Sequence, residues 1–437
     1  MIRLYDYFTK ESQDLEFSLE AAGYKGECIV INEDGFLPKQ LTSPYAYFCG
    51  FADSQEGRPL YFNELVVPDF WQIAGNNNQA EVFDYNQQKA RIFYAEPKHL
   101  RLIKTVDWLE ANGKTRFSDH YNQYGWRFAR THFTAHQEPT VRTYTNQAGQ
   151  EIIVENFKTG DIILNWQGKV HFFKNRVAFL AFYCQYRGLD TSEIWFNSLS
   201  TPFFFSRYLG EKGSDILFWQ EDIRQEIPGN MMSIFNHPND RVKRIIVQKK
   251  EAYQRLLTLL PETLHSRVSY LGYHYADKGL PQKSHDILIM TNSDQIEGLE
   301  ELVCGLRGYR FHIGALTEMS ERLTSFDAYD NVTLYPNISQ KTADRLFEEC
   351  AIYLDINHGN TILDSIRQAF EHNQLILAYD TTVHQPEFLL GEHVFRRDRT
   401  ADLIQTIKAS VDRKALIQKQ RSGTIDESIE DYHRLLG

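Results

Sequence analysis

Residues 358–380 read HGNTILDSIRQAFEHNQLILAYD: a glycine loop, a helical run and the apolar strand Leu375–Ala378. Asn360 and Gln368 stand eight positions apart in this segment. A second loop follows the apolar run Ile287–Met290 and carries Asn292 and Glu297. Three of these four side chains are amides, which donate and accept hydrogen bonds without ionising and suit peptide amides and hydroxyls. The usual signatures of group chemistry are missing. The chain has no GxGxxG, no GxxxxGK[ST], no HExxH, no CxxC, no GxSxG and no pair of aspartates two apart. A dinucleotide fingerprint, a P-loop, a zinc site and a hydrolase elbow are thereby disfavoured, and no metal is expected. The histidines are dispersed, and single ones such as His358 and His384 read as satisfied loop residues rather than as bases.

The elements that must hold these loops are legible from their periods. From residue 276 onward, apolar runs at Ile287–Met290, Tyr309–Ile313, Val332–Leu334, Ile352–Leu354 and Leu375–Ala378 alternate with helical patterns. The helices are expected at Ile296–Leu306, Thr317–Leu323, Ser339–Cys350 and Thr361–His372. Short strands alternating with helices predict βαβ units and a parallel sheet, so residues 276–437 form one doubly wound domain. Residues 176–275 alternate in the same way, and residues 1–40 add a strand, an amphipathic helix and a second strand. Together these predict a first Rossmann-like domain that is interrupted. The interruption, residues 41–175, has period-two runs separated by short turns, such as TVRTYT-NQAGQ-EIIVENF and DIILNW-QGK-VHFFKN. That texture predicts an inserted antiparallel β-meander. The two doubly wound domains join near Asp277–Ser284, and the default ligand site is the cleft at the carboxyl ends of their strands.

Totals bound the remaining possibilities. With 437 residues the chain is too long for one core. A net charge of −11 and the lack of a basic stripe argue against nucleic-acid binding. Aromatic residues make up 14% of the chain, which fits large cores and a β-rich segment. The opening Met1–Phe17 meets charges at once and has no leader-like apolar stretch, and no run reaches membrane-spanning length. Five scattered cysteines read as reduced thiols of a cytoplasmic protein.

The segments MIRLYDYFTKESQDLEFSLEAAGY, GFLPKQLTSPYAYFCGF (residues 35–51) and VVPDFWQI (residues 66–73) resemble the GtfB-type stabilising family. The resemblance covers essentially the whole chain. It implies the paired-domain glycosyltransferase-B architecture and a role beside a catalytic GtfA-type O-GlcNAc transferase that modifies serine-rich-repeat adhesins. In active transferases of this architecture, the first strand of the second domain leads to a loop whose Arg, and a Lys five residues later, neutralise the donor diphosphate. On this sequence those positions fall on Asn292 and Glu297. Two glutamates eight apart hold the donor sugar and ribose in the same relatives, and they fall on Asn360 and Gln368. Asp364 and Glu371 are the alternative carboxylates.

Loss of two cations at a leaving diphosphate removes transition-state stabilisation. An amide in place of each carboxylate removes an acceptor roughly twice as strong. The resemblance therefore implies a non-catalytic subunit without cofactor, in a hetero-oligomer for which a heterotetramer is one arrangement. It also implies that the adhesin polypeptide binds in the degenerate cleft. The location it implies is cytoplasmic, with peripheral attachment at the inner membrane face as an option. The competing reading is an independent nucleotide-sugar-dependent transferase with an unusual donor site.

Overall fold

The structure, a computed structural model, describes residues 1–437 except 53, 55, 238, 411 and 412, and except the side chain of Ser284. Those positions of the segments 41–175, 176–275, 276–437 and 277–284 lie outside the described residues. By contacts the chain divides into two compact units, Met1–Gly272 with Tyr432–Gly437, and Tyr273–Asp431.

The first unit opens with β1 (Ile2–Tyr5) and β2 (Glu27–Val30), paired in parallel and joined by the helix Lys10–Ala21. Thr9 starts that helix by accepting the Ser12 amide, which satisfies one of its orphan donors. The chain next forms the short helix Pro44–Cys49, capped by Ser43 and ended by Gly50. Ten antiparallel strands follow. They are β3 (Gln72–Gly75), β4 (Gln79–Asp84), β5 (Gln87–Tyr94), β6 (Ile103–Leu109) and β7 (Thr115–Tyr121). Then come β8 (Arg127–Phe133), β9 (Pro139–Thr145), β10 (Glu151–Asn156), β11 (Ile162–Trp166) and β12 (Lys169–Phe173). Each pairs with the next in chain order, which makes one continuous meander. The chain then returns to the first sheet through β13 (Ile194–Phe196), β14 (Asp215–Trp219), β15 (Val242–Val247) and β16 (Val268–Tyr270). The parallel order is β2-β1-β13-β14-β15-β16, with the reversal between β1 and β13.

One end of the meander is built into the core of the first sheet. Phe128, Tyr144, Ile153 and Leu164 share a buried cluster with Tyr45, Phe48 and Phe179, and the Tyr45 and Tyr144 rings stack at 4.4 Å. The segment GFLPKQLTSPYAYFCGF forms this junction. Ser43 Oγ donates to the buried Glu33 at 2.5 Å, and the Gly35 amide donates to the other Glu33 oxygen at 2.8 Å. Burial raises the Glu33 carboxyl to about 7 against those hydrogen bonds. The other end of the meander closes on a small core of its own, including Leu65, Val82, Ile92 and Val106.

The second unit contains β17 (Lys283–Thr291), β18 (Arg310–Ala315), β19 (Val332–Tyr335), β20 (Cys350–Asp355), β21 (Leu375–Tyr379) and β22 (Val394–Phe395). All pairs are parallel, in the order β19-β18-β17-β20-β21-β22. β20 and β21 are buried throughout, as strands covered on both faces must be, which is why they read as unbroken apolar runs. The fold is therefore α/β, with two Rossmann-like sheets and an inserted antiparallel meander.

The helix expected at Thr317–Leu323 is reduced to Glu321–Thr324, and the two helices that follow β17 and β20 also begin later than their periodicity suggests. The one expected from Ile296 starts at Leu299, because Ile296 bridges to Asn357 and Gly298 turns left-handed at φ 63°. The one expected from Thr361 starts at Ser365, because Leu363 and Asp364 both adopt positive φ, 53° and 50°. In each case loop backbone at the end of a central strand displaces the first helical turn. Among the described residues no helix is long and apolar enough to cross a membrane.

Candidate functional site

In an open parallel sheet, the ligand crevice lies outside the carboxyl ends of the two strands where the order reverses. In the second unit those strands are β17 and β20, ending at Thr291 and Asp355. The loops that follow them are stitched together by backbone. The Glu297 amide donates to the Ile356 carbonyl at 2.7 Å, and the His358 amide donates to the Gln295 carbonyl at 2.9 Å. The buried Asn357 holds the turn: its Oδ1 accepts the Gly359 amide at 2.7 Å. These bonds bring Asn292, Glu297 and the loop His358–Asn360 to one place.

Asn292 is exposed, and its side chain lies against Gly359. A Cβ on Gly359 would fall on Asn292 Oδ1, so glycine is what lets the two loops approach. Asn360 is exposed on the same loop. Glu297 is not the isolated anion that its position in the sequence suggests. His358 Nε2 donates to one carboxylate oxygen at 2.6 Å, and Arg397 Nε donates to the other at 2.5 Å. The His358 hydrogen bond and then the Arg397 contacts hold the Glu297 carboxyl below its ordinary range, against partial burial. Arg397 also grips Glu301 at 2.7 and 3.2 Å and donates to Thr400 Oγ1 at 2.8 Å. Gly298 makes room for this cluster. A Cβ there would lie 2.8 Å from Tyr379 Oη and 3.4 Å from the Arg397 guanidinium carbon.

Gln368, on the helix Ser365–Glu371, accepts from Lys278 Nζ at 3.1 Å. Glu371 on the same helix pairs with Lys278 at 3.0 Å and with Arg367 at 2.7 Å, so this carboxylate is taken up in a structural network. Asp364 is the left-handed residue before the helix. His384 is a strut. Its Nδ1 donates to the buried Asp355 at 2.6 Å, its amide to the same carboxylate at 2.8 Å, and its Nε2 to the Gly359 carbonyl at 2.7 Å. Burial raises the Asp355 pKa, and the hydrogen bonds and charge of His384 oppose that rise. Sequence reasoning missed Arg397 and Asp355. The basic run Arg396–Arg399 was the only visible signal for the first.

The reversal point of the first unit is filled by its own polar side chains. Asp6, just past β1, accepts from Asn32 Nδ2 at 2.8 Å and from Ser198 Oγ at 3.3 Å. Asn197, just past β13, donates to Ser12 and Gln220, both at 3.0 Å, and Gln220 donates to Gln248 at 2.9 Å. Among the described residues, no group of three or more His, Cys, Asp or Glu could hold a metal ion.

Four domain families match along the chain: the GtfB N-terminal domain (residues 2–48), the GtfB middle domain (71–174), the GtfB third domain (176–259) and the GftB/GlyA-F C-terminal domain (287–422). A Streptococcus agalactiae protein is 49% identical over all of this chain and 99% of its own. The chain belongs to the GtfB family. That relative, one from Streptococcus parasanguinis (46%, over 100% of this chain and 99% of its own) and one from Limosilactobacillus reuteri (36%, with the same coverage) carry one name. All are called UDP-N-acetylglucosamine--peptide N-acetylglucosaminyltransferase stabilizing protein GtfB. A solved chain of the GtfA/B complex bound to UDP and GlcNAc matches with a TM-score of 0.92 and 41% identity, over 100% of this chain and 99% of that one. The GtfB frame is thus shared from end to end.

The packing of Asn292 on Gly359 gives a direct test. Gly359→Ala should destabilise the protein by roughly 1–2 kcal/mol through overpacking. Asn292→Ala/Gly359→Ala should recover much of that loss, because the Asn292 amide oxygen is the nearest obstacle to the new methyl, and Asn357 Oδ1 at 3.0 Å accounts for the remainder. Urea denaturation of the four species of the cycle measures the coupling, and a coupling near zero would mean that the side chain yields freely.

Proposed function

We propose that this chain is the non-catalytic subunit of a protein O-GlcNAc transferase: it stabilises a catalytic GtfA-type partner and binds the Ser/Thr-rich adhesin acceptor. The observation that carries the reading is the state of the crevice at β17 and β20. Where an active transferase needs cations free to meet a diphosphate, Arg397 and His358 are already bonded to Glu297. The remaining groups, Asn292 and Asn360, are neutral amides on exposed loops. They suit a polypeptide's amides and hydroxyls, and an unfolded acceptor with few apolar anchors is held by many weak contacts of this kind. The five cysteines, all unpaired and four of them buried, fit a reducing cytoplasm, and we place the complex there, peripheral to the inner membrane face. The alternative, an independent transferase, would require Arg397 to leave two carboxylates.

Purified to homogeneity, the chain alone should neither transfer nor hydrolyse UDP-GlcNAc. Coexpression with a GtfA-type subunit should give a co-eluting complex that modifies a serine-rich acceptor, and omission of either chain should abolish transfer. Turnover by the isolated chain would establish the independent transferase instead.

We place much of the partner contact on the meander. Val66, Phe70 and Tyr85 are 91%, 93% and 90% exposed, so they contribute little to the chain's own core. Removal of the whole insert is a poor test, since Phe128, Tyr144 and Ile153 belong to the core of the first sheet. Val66→Asp/Phe70→Asp/Tyr85→Asp should instead leave thermal stability intact and weaken co-elution with the partner by about tenfold or more, as loss of interface anchors does. Unchanged affinity would move the interface elsewhere.

For the acceptor, each amide contributes about 0.5–1.5 kcal/mol net. Single changes among Asn292→Ala, Asn360→Ala and Gln368→Ala should weaken binding of a labelled repeat peptide a few-fold, and the triple change much more. Fluorescence anisotropy decides it: equal binding by the triple variant would place the acceptor on another surface.

A further inference from the structure

Glu297 is held in an unusual way for a residue of an exposed loop. Its backbone is fixed by the Ile356 carbonyl, and its two carboxylate oxygens are divided between two different donors, His358 Nε2 and Arg397 Nε. The donors come from separate segments, one following β20 and one following β22. They converge on one small anionic group at the carboxyl ends of β17 and β20, where this sheet order places ligands. All three side chains are partly solvent-exposed, so the position is reachable from outside. Arg397 is further buttressed by Glu301 and Thr400, which fix its guanidinium without using the Nε donor. Beside it lies a polar cavity of about 450 Å³, lined among others by Glu297, Gly298, Arg322, Tyr329 and Arg397.

We infer that Glu297 is a built-in substitute for a phosphoryl group: its carboxylate occupies an anion-binding position formed by His358 and Arg397. A phosphoryl group presents two oxygens at nearly the spacing of a carboxylate, and both are met by charge-assisted donors of the same kind. The site is therefore a masked anion site, not an erased one. The chain has kept the receptor and supplies its own occupant. This rests on the reading that the chain binds no nucleotide sugar, and it adds the reason: a diphosphate must displace a tethered carboxylate that never diffuses away.

Shortening the occupant should unmask the site. In Glu297→Ala, inorganic phosphate or pyrophosphate should bind the intact chain about tenfold or more tighter than it binds the parent protein, as judged by calorimetry at matched ionic strength. The same anions should raise the melting temperature of Glu297→Ala beyond any rise in the parent. Both effects should vanish in Glu297→Ala/Arg397→Ala. Should Glu297→Ala fail to fold in chloride buffer, folding restored by phosphate counts for the inference, and Glu297→Ser provides the affinity comparison. Phosphate binding no tighter in either variant than in the parent overturns it, as does failure of both variants to fold even with phosphate. UDP binding by the parent chain would overturn the functional reading, whereas failure of the phosphate arm alone overturns only the mask.

Discussion

Two backbone hydrogen bonds, Glu297 N–H to Ile356 and His358 N–H to Gln295, set the character of the second unit. A parallel sheet ends in unpaired polar groups, and the loops leaving its central strands must either wait for a ligand or answer one another. Here they answer one another. Once the two loops are tied, Asn357 is buried beneath them, Gly359 must be free of a side chain, and Glu297 is placed between His358 and Arg397. The first unit reaches the same end by another route, through an amide chain from Asp6 and Asn32 to Gln220 and Gln248. Both reversal points are thus bridged by the chain's own loops and side chains.

The meander adds a second constraint. Because its one end is continuous with the first core, it cannot move as a separate module without exposing Phe128, Tyr144, Phe48 and Phe179 together. Its far end, with its own small core and the exposed Val66, Phe70 and Tyr85, is the part available to something else. The sheet is thereby anchored at one end by aromatic packing and carries exposed apolar side chains toward the other.

The architecture was legible because its signals are local. Buried parallel strands are apolar runs and the hairpins alternate with period two, whereas the short helix Pro44–Cys49 lies inside the segment that reads as meander. The four candidate positions could be named, yet the electrostatics at Glu297 could not be read from them. Its decisive partner, Arg397, lies one hundred residues away in sequence, and nothing local distinguishes a lone carboxylate from a paired one. The late helix starts were hidden for a related reason. Leu363 and Asp364 take left-handed backbone imposed by the loop, in side chains that do not advertise it.

β1 pairs on one side with β2, which follows within a few dozen residues, but on the other side Ile2 pairs with Ile194. The whole meander is synthesised between those two partners. A chain emerging from the ribosome therefore carries a two-stranded parallel fragment with a bare apolar edge until β13 arrives, while the hairpins, whose contacts are near-neighbour, can already form. The connectivity therefore lets the near-neighbour hairpins pair before β1 can reach β13. During that interval β1 offers an open strand edge, the kind of surface that invites misassociation.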